Sequence, residues 1–421
     1  MKAITFLGAA EAHETTYIMP DGREHAAPYF GVALARFNPG ADMKVFVTDK
    51  AREIHWDSFQ RLAEDYVDNL EAVEIPDGAD ENELWSLFQT VVDAVNVQEE
   101  VIFDITHGYR SLPFLSLLAV AYLRQIKQIE LRAILYGNFE ARDRSVEPHR
   151  TPVIDLSGFV SLFDWMTAAD RFIRFGDASD LARHLRAEKP DQIQADNPLP
   201  QVITVDMLRR SGPERKPDPQ PGQQANRLAR VANSMERVSH ALRLIRPNEA
   251  MDASARLDRE LSDPLALYSI KANAPPFLLL AGPIREAYQQ LAILSSQQRE
   301  MPALALQHER DMIGWLLKRK QYAQAVAIAR EWTISWVLLQ TGASDFEDRE
   351  CRQSASDILL DSALRPDIDQ LEMAREIHEE LRKVRNDLLH AGKNSGALRA
   401  QEMEKELMKV CPRLFELKLP T

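Results

Sequence analysis

Within residues 1–155, short apolar runs of β character alternate with helical stretches, and this alternation limits the fold more than any other feature of the chain. Residues 2–7, 43–47, 72–75, 101–105 and 131–136 are short, apolar and bounded by charged or turn-forming residues. Between them, residues 29–37, 51–66, 81–95 and 112–126 have helical spacing. Strands alternating with helices predict a parallel, doubly wound sheet, the arrangement of a Rossmann-like α/β domain. Pro28 suits the first turn of the first helix, and Asn38-Pro39-Gly40 ends it. Ser111 is the predicted N-cap of the fourth helix, where Pro113 falls in a first turn that needs no N–H. The run FLSLLAVAYL in that helix is apolar nearly all round, which predicts a helix buried against the sheet.

The second half has a different pattern. Residues 156–188 are helical, with Phe159, Leu162, Phe163, Met166 and Phe172 at helical spacing. Seven prolines from Pro190 to Pro221 interrupt any helix there, and ERKPDPQPGQQ lacks the apolar residues of a core, which predicts a linker or long insertion. Helical patterns then occupy 225–247, 277–299, 301–318, 321–340, 367–391 and 396–410. The expected organisation is an α/β domain over 1–155, a helical connector and proline-rich linker over 156–224, and an all-α domain over 225–421. No repeat of solenoid period is present.

No run of about eighteen apolar residues occurs, so a membrane helix is not expected. The opening MKAITFLGAA reads as a first strand, not a signal peptide. Cys351 and Cys411 stand alone, without a CxxC partner, which argues against a disulfide framework or a cysteine zinc site and fits a reducing cytoplasm. The net charge of −13 requires any RNA contact to use a local basic patch. The helix at 225–247 carries Arg227, Arg230, Arg237, Arg243 and Arg246 beside an apolar stripe, a pattern that reads first as a solvated amphipathic face and second as an RNA contact.

Two segments carry chemistry. The first, DITHGYRSLP (residues 104–113), lies where a buried strand ends and a helix begins, at the carboxyl edge where open α/β sheets bind ligands. Gly108 permits close backbone approach, the N–H groups after Ser111 can face an anion, and Arg110 offers a fixed positive fork for phosphate. Thr106 and His107 add hydrogen-bonding groups suited to ribose or base, so a phosphate-bearing nucleotide is the natural guest. A plain strand-to-helix loop, with Ser111 as its cap, is the bland alternative. Residues 9–28 form a long connection whose TTYIMPDGREHA segment predicts a hairpin turning at Pro20-Asp21-Gly22, a flap anchored by Thr15 and Tyr17 that closes over the same edge. Tyr136-Gly137-Asn138 is a third wall. LGAAEA has one glycine where the dinucleotide fingerprint needs three, so NAD is not expected.

The second segment, RNDLLH (residues 385–390), ends a long amphipathic helix that Ala391-Gly392 stops. At about 100° per residue Asn386 and His390 share a face, whereas Arg385 and His390 are roughly 140° apart. Two copies about a two-fold axis would bring two Arg/His sets together, so the chemistry predicts a homodimer. RNA brings its own nucleophile, the 2′-hydroxyl; His390 can move a proton near neutral pH, Arg385 can stabilise charge on phosphorus, and Asn386 can orient a partner, with no metal required. Without further context a polar helix end is the plainer reading. His378-Glu379-Glu380 lacks the second His of HExxH, and neither GxSxG nor a P-loop occurs.

Together these segments resemble CRISPR-associated proteins that join a CARF sensor domain, a Rossmann-like fold, to a HEPN ribonuclease domain. FLGAAEAHETTY, ALARF, FVTDKA, ELWSLFQTVVDAV, FDITHGYRSLPFLSLLAV and LYGNFEA look like successive pieces of the sensor, and VRNDLLHAG looks like the R-x4-6-H motif of HEPN domains. The resemblance implies a type III CRISPR ancillary effector: a cytoplasmic, homodimeric or higher-order endoribonuclease in antiviral defence, activated allosterically by a cyclic oligoadenylate, with cyclic tetra-adenylate the expected ring. It implies ligand contacts from Gly8 and Ala9, with Thr15, Tyr17, Thr106, His107, Gly108, Arg110, Ser111, Tyr136 and Gly137. Cleavage would fall to Arg385, Asn386 and His390, with single-stranded RNA as substrate, no catalytic cofactor, and 2′,3′-cyclic phosphate and 5′-hydroxyl ends. The proline-rich stretch has no counterpart in that pattern. A ligand-sensing transcription regulator would need a basic recognition helix, which is not evident, and a non-catalytic dimeric scaffold would leave RNDLLH as polar surface.

Overall fold

A computed structural model of the chain describes residues 1–107, 112–187, 221–393 and 396–420. The described residues form two compact units, Met1–Asp164 and Trp165–Thr421. The proline-rich segment predicted as a linker lies outside the described residues up to position 220, and Pro221 starts a helix.

In the first unit the strands are β1 (Lys2–Leu7), β2 (Thr15–Ile18), β3 (Glu24–Ala27), β4 (Asp42–Val47), β5 (Asn69–Glu74), β6 (Glu100–Asp104), β7 (Glu130–Gly137) and β8 (His149–Asp155). They form one sheet in the order β3-β2-β8-β7-β6-β1-β4-β5. The five strands from β5 to β7 are parallel, and β8 runs antiparallel to β7. Every residue of β1 is buried, because both faces of the sheet are covered. Helices α1 (Phe30–Phe37) and α2 (Asp49–Ala63) pack with one core, through Phe30, Leu34, Phe59 and Ala63. Helices α3 (Glu81–Asp93) and α4 (Leu112–Tyr122) pack with a second core, through Leu87, Val91, Ala119 and Val120. The order reverses between β1 and β6, and the carboxyl ends at such a reversal are where open α/β sheets bind ligands.

The sequence reading anticipates the parallel strands but not β8. HRTPVID has a proline at its centre, which ordinarily argues against a strand. Here Pro152 sits where the strand changes partners: β8 pairs with β2 from His149 to Pro152, and with β7 from Val153 to Asp155. The predicted hairpin is present as β2 and β3, but it is built into the sheet through β8 and forms a fixed wall rather than a separate flap.

A second correction concerns α4. Ser116, Ala119, Val120 and Leu123 are buried, but Phe114, Leu118, Tyr122 and Ile126 are exposed at 64%, 37%, 42% and 62%. These four are spaced by four residues, so a helix expected to be wholly buried shows one apolar stripe to the outside. Trp85 and Phe88 of α3 continue the patch, with Phe88 edge-on to Tyr122 at 5.8 Å.

The chain enters the second unit along α5 (Ser157–Phe175). There follow α6 (Ser179–Ala187), α7 (Pro221–Arg243), α8 (Pro247–Glu260), α9 (Pro264–Asn273), α10 (Pro275–Gln289), α11 (Ser295–Glu300), α12 (Pro302–Lys318), α13 (Tyr322–Gln340), α14 (Arg349–Leu360), α15 (Leu371–Leu389) and α16 (Ala400–Val410). No strand occurs among its described residues. One continuous core runs through it, and its buried tryptophans Trp315, Trp332 and Trp336 each donate their indole N–H to a backbone carbonyl. The sequence reading misses α8, α9 and α14 and joins α10 with α11. Pro247 and Pro264 occupy the first turns of α8 and α9, where proline starts a helix. No helix among the described residues is long and apolar enough to cross a membrane.

Candidate functional site

The carboxyl ends of β1 and β6 meet at Gly8 and His107. A Cβ on Gly8 would lie 2.6 Å from the His107 carbonyl oxygen, so only glycine allows these two backbones to touch. Asp104 closes β6 and is fully buried. It accepts from the Thr5 hydroxyl at 2.5 Å and from the Thr106 N–H at 2.7 Å. Burial raises its pKa to about 6, although the hydrogen bonds from Thr106 and Thr5 favour the ionised form. Asp104 thus fixes the turn that leads into DITHGYRSLP. The Thr106 hydroxyl accepts from the Gly137 N–H at 2.8 Å and ties that turn to the end of β7. Gly137 leaves room for its neighbours: a Cβ there would be 3.0 Å from the Tyr17 ring and 3.1 Å from Thr106.

His107 is neutral. Its Nε2 accepts from the Phe30 N–H, at the start of α1, at 3.1 Å, which places the ring proton on Nδ1. The Tyr17 hydroxyl lies 3.2 Å from the same nitrogen. Burial lowers the His107 pKa to about 4, and His55 nearby pushes it the same way. Burial, with the Asp104 charge, holds the Tyr17 phenol far above its ordinary value, so it too remains protonated. The edge therefore carries neutral polar groups at these two positions.

Gly8, Tyr17, Thr106, His107 and Gly137 are thus gathered at one edge, with half-buried Ala9 and Tyr136 next to them in the chain. Thr15 is fully buried; its hydroxyl donates to the His149 carbonyl at 2.7 Å and pairs with the Thr151 hydroxyl at 2.7 Å, so it fastens β2 to β8. Gly108, Arg110 and Ser111 lie outside the described residues.

Sequence reasoning missed Tyr29 and His55. The His55 Nε2 donates to the Ala10 carbonyl at 2.9 Å, so its Nδ1 accepts from the Tyr29 hydroxyl at 3.0 Å. This pair anchors the loop that follows β1. A signal was available: His55 occupies the buried stripe Ala51, His55, Phe59 and Ala63 of α2, where an apolar residue is the norm.

In the second unit, α15 buries Leu371, Ala374, Ile377, His378, Leu381, Val384 and Asp387 on one face. Arg385 and Asn386 are half-buried at its end, and His390 is exposed. An Arg385 guanidinium N–H donates to Asn386 Oδ1 at 3.3 Å. Among the described residues no hydrogen bond joins Arg385 to His390. The helix ends in a Schellman motif: the Gly392 N–H reaches the Asp387 carbonyl and the Ala391 N–H the Leu388 carbonyl, with Ala391 at φ +52°. Asp387, also missed, binds the segment beyond, because its Oδ2 accepts from the Leu398 N–H at 2.9 Å. Its Oδ1 is buried without a partner. Helix end and following chain are therefore held from the residue between Asn386 and Leu388, which fixes where His390 emerges. Among the described residues no group of three or more His, Cys, Asp or Glu side chains is placed to hold a metal ion.

Comparison with known proteins finds likenesses within the first unit. Residues 2–140 match the family described as the CARF domain of the CRISPR system endoribonuclease Csx1. Over 135 residues, 31% of this chain, the protein is 27% identical to the CRISPR-associated protein MJ1674 of Methanocaldococcus jannaschii. The aligned part is 21% of that relative, so the chain spans about a fifth of its length. The helical unit, Trp165–Thr421, lies beyond the residues of the family match.

Proposed function

We propose that this protein is an endoribonuclease of type III CRISPR defence, switched on when a cyclic oligoadenylate, cyclic tetra-adenylate in the first instance, occupies the carboxyl edge of its α/β unit. The observation that carries the reading is the convergence of Gly8, Tyr17, Thr106, His107 and Gly137 at the switch point of a sheet that matches a CARF domain. Gly108, Arg110 and Ser111 follow directly in the chain and supply the phosphate contacts, Arg110 the positive charge that neutral His107 lacks.

Two copies act together. The apolar stripe Phe114, Leu118, Tyr122 and Ile126 is the face on which a second α/β unit packs, and a cyclic ligand of matching symmetry then lies across the two-fold axis. In the helical unit, Arg385, Asn386 and exposed His390 form half of a composite cleavage site. His390 moves a proton between the RNA 2′-hydroxyl and the leaving 5′-oxygen, Arg385 stabilises the charge that develops on phosphorus, and Asn386 holds Arg385 in place.

The test is cleavage of end-labelled single-stranded RNA in EDTA, with cyclic tri-, tetra- and hexa-adenylate each added in turn. The expected result is cutting that depends on one ring size, leaves 2′,3′-cyclic phosphate and 5′-hydroxyl ends, and spares 2′-deoxy substrates. Silence with every ring, or equal cutting of DNA, would contradict the reading.

A further inference from the structure

We infer that His13 and Phe139 form a nucleobase ledge on the rim of the ligand site; the inference rests on the proposal that the α/β unit binds an oligoadenylate. In the sheet, β6, β7 and β8 stand between β1 and β2, so the loop of residues 8–14 must cross the carboxyl edge to join them. It is fastened at three points. Gly8 lies on the His107 carbonyl, the Ala10 carbonyl accepts from His55, and the His13 ring lies beside the Phe139 ring just past the end of β7. The two rings are 6.0 Å apart between centroids and within 8° of parallel.

Their surroundings distinguish them from ordinary loop packing. Phe139 is held from one side by Arg142, whose guanidinium carbon is 3.8 Å from the ring centroid and whose N–H donates to the Phe139 carbonyl at 2.8 Å. The Arg142 Nε is buried without a partner, so this arginine is committed to Phe139 and not to an ion pair through that nitrogen. Phe139 is half-buried and His13 exposed. The result is a pair of near-parallel rings, exposed at its His13 end, with Phe139 two residues beyond Gly137 at the end of β7. A base has a π face that stacks on such a surface whatever its hydrogen-bonding pattern, and a larger purine gains more than a pyrimidine. A pre-formed ledge also loses little side-chain freedom on binding. His107 and the fully buried Tyr17 are neutral and bonded to one another and to the Phe30 N–H, so the ledge supplies the face for a base that these groups do not.

The experiment is calorimetric titration of the full chain with cyclic tetra-adenylate and with cyclic tetra-uridylate, which keeps the ring and phosphates but offers a poorer stacking face. His13 is exposed, so His13→Ala leaves the fold intact, and His13→Phe preserves a flat ring. His13→Ala should weaken the adenylate ring by roughly 10- to 100-fold and the uridylate ring much less, while His13→Phe should bind the adenylate ring as the wild type does. Equal adenylate affinity for wild type and His13→Ala would remove the ledge and leave the sensing site standing. A wild-type protein that binds neither these rings nor those of three or six adenylates would overturn the sensing site and the ledge together.

Discussion

His107, held as an acceptor by the Phe30 N–H and with its pKa lowered by burial, arranges the turn that follows β6; in the function proposed it leaves phosphate to Arg110. The same close packing gives a stability prediction for Gly8. Gly8→Ala forces a methyl onto the His107 carbonyl oxygen at 2.6 Å, a backbone atom that cannot swing away. It should cost about 1–3 kcal/mol, read as a lower denaturant midpoint for the α/β unit, and should weaken ring binding as well. An unchanged midpoint would mean the two segments are not locked together. In the helical unit Glu309 of α12 is buried and its pKa is raised to about 7, chiefly by burial, against the pull of Arg352, while Glu331 pushes it further up. With the folded value above the ordinary 4.5, the stabilising contribution is complete below pH 4.5 and is lost as pH rises through 7. Glu309→Gln removes the cost of burying that charge. It should therefore stabilise the helical unit at pH 8, by on the order of 1–3 kcal/mol, and make little difference near pH 4.5. A variant no more stable at pH 8 than at pH 4.5, relative to wild type, would contradict the assignment.

At the scale of elements, what was readable depended on which force sets each one. The central parallel strands β1 and β6 are buried on both faces, so they appear as continuous apolar runs, and the DITHGYRSLP loop was locatable because it directly follows such a run. β8 was not readable, because its pairing with β2 depends on a strand more than a hundred residues away in sequence and its central proline masks it. Tyr29, His55 and Asp387 escaped for a related reason: each acts through a tertiary hydrogen bond, to a loop or a following segment, that spacing along one helix does not record. Helix α4 was read correctly as apolar all round, yet one chain covers only part of it. That surplus makes a prediction. Leu118→Arg, at the centre of the exposed stripe, places an unpaired charge in the face assigned to self-association and should shift light scattering towards monomer, with the helical content unchanged. A variant that scatters as the wild type does would remove this stripe from any two-fold contact.

Across the whole molecule, residues 2–140 of the α/β unit match a CARF domain in sequence, and the helical unit presents an Arg-Asn-His set at the end of one amphipathic helix. The account joins them through a ligand bound in one unit and chemistry carried out in the other. Separate sites of this kind make separable defects: a binding mutation moves the activator concentration needed, whereas a chemical mutation lowers the rate at saturation. The most direct measurement is therefore the rate of RNA cleavage as cyclic tetra-adenylate is titrated into wild type, Arg110→Ala and His390→Ala. Arg110→Ala should need at least about tenfold more ring to reach the wild-type plateau, and His390→Ala should bind the ring with wild-type affinity yet cut nothing. A His390→Ala protein that cleaves at the wild-type rate, or an Arg110→Ala protein with an unshifted titration, would contradict the account.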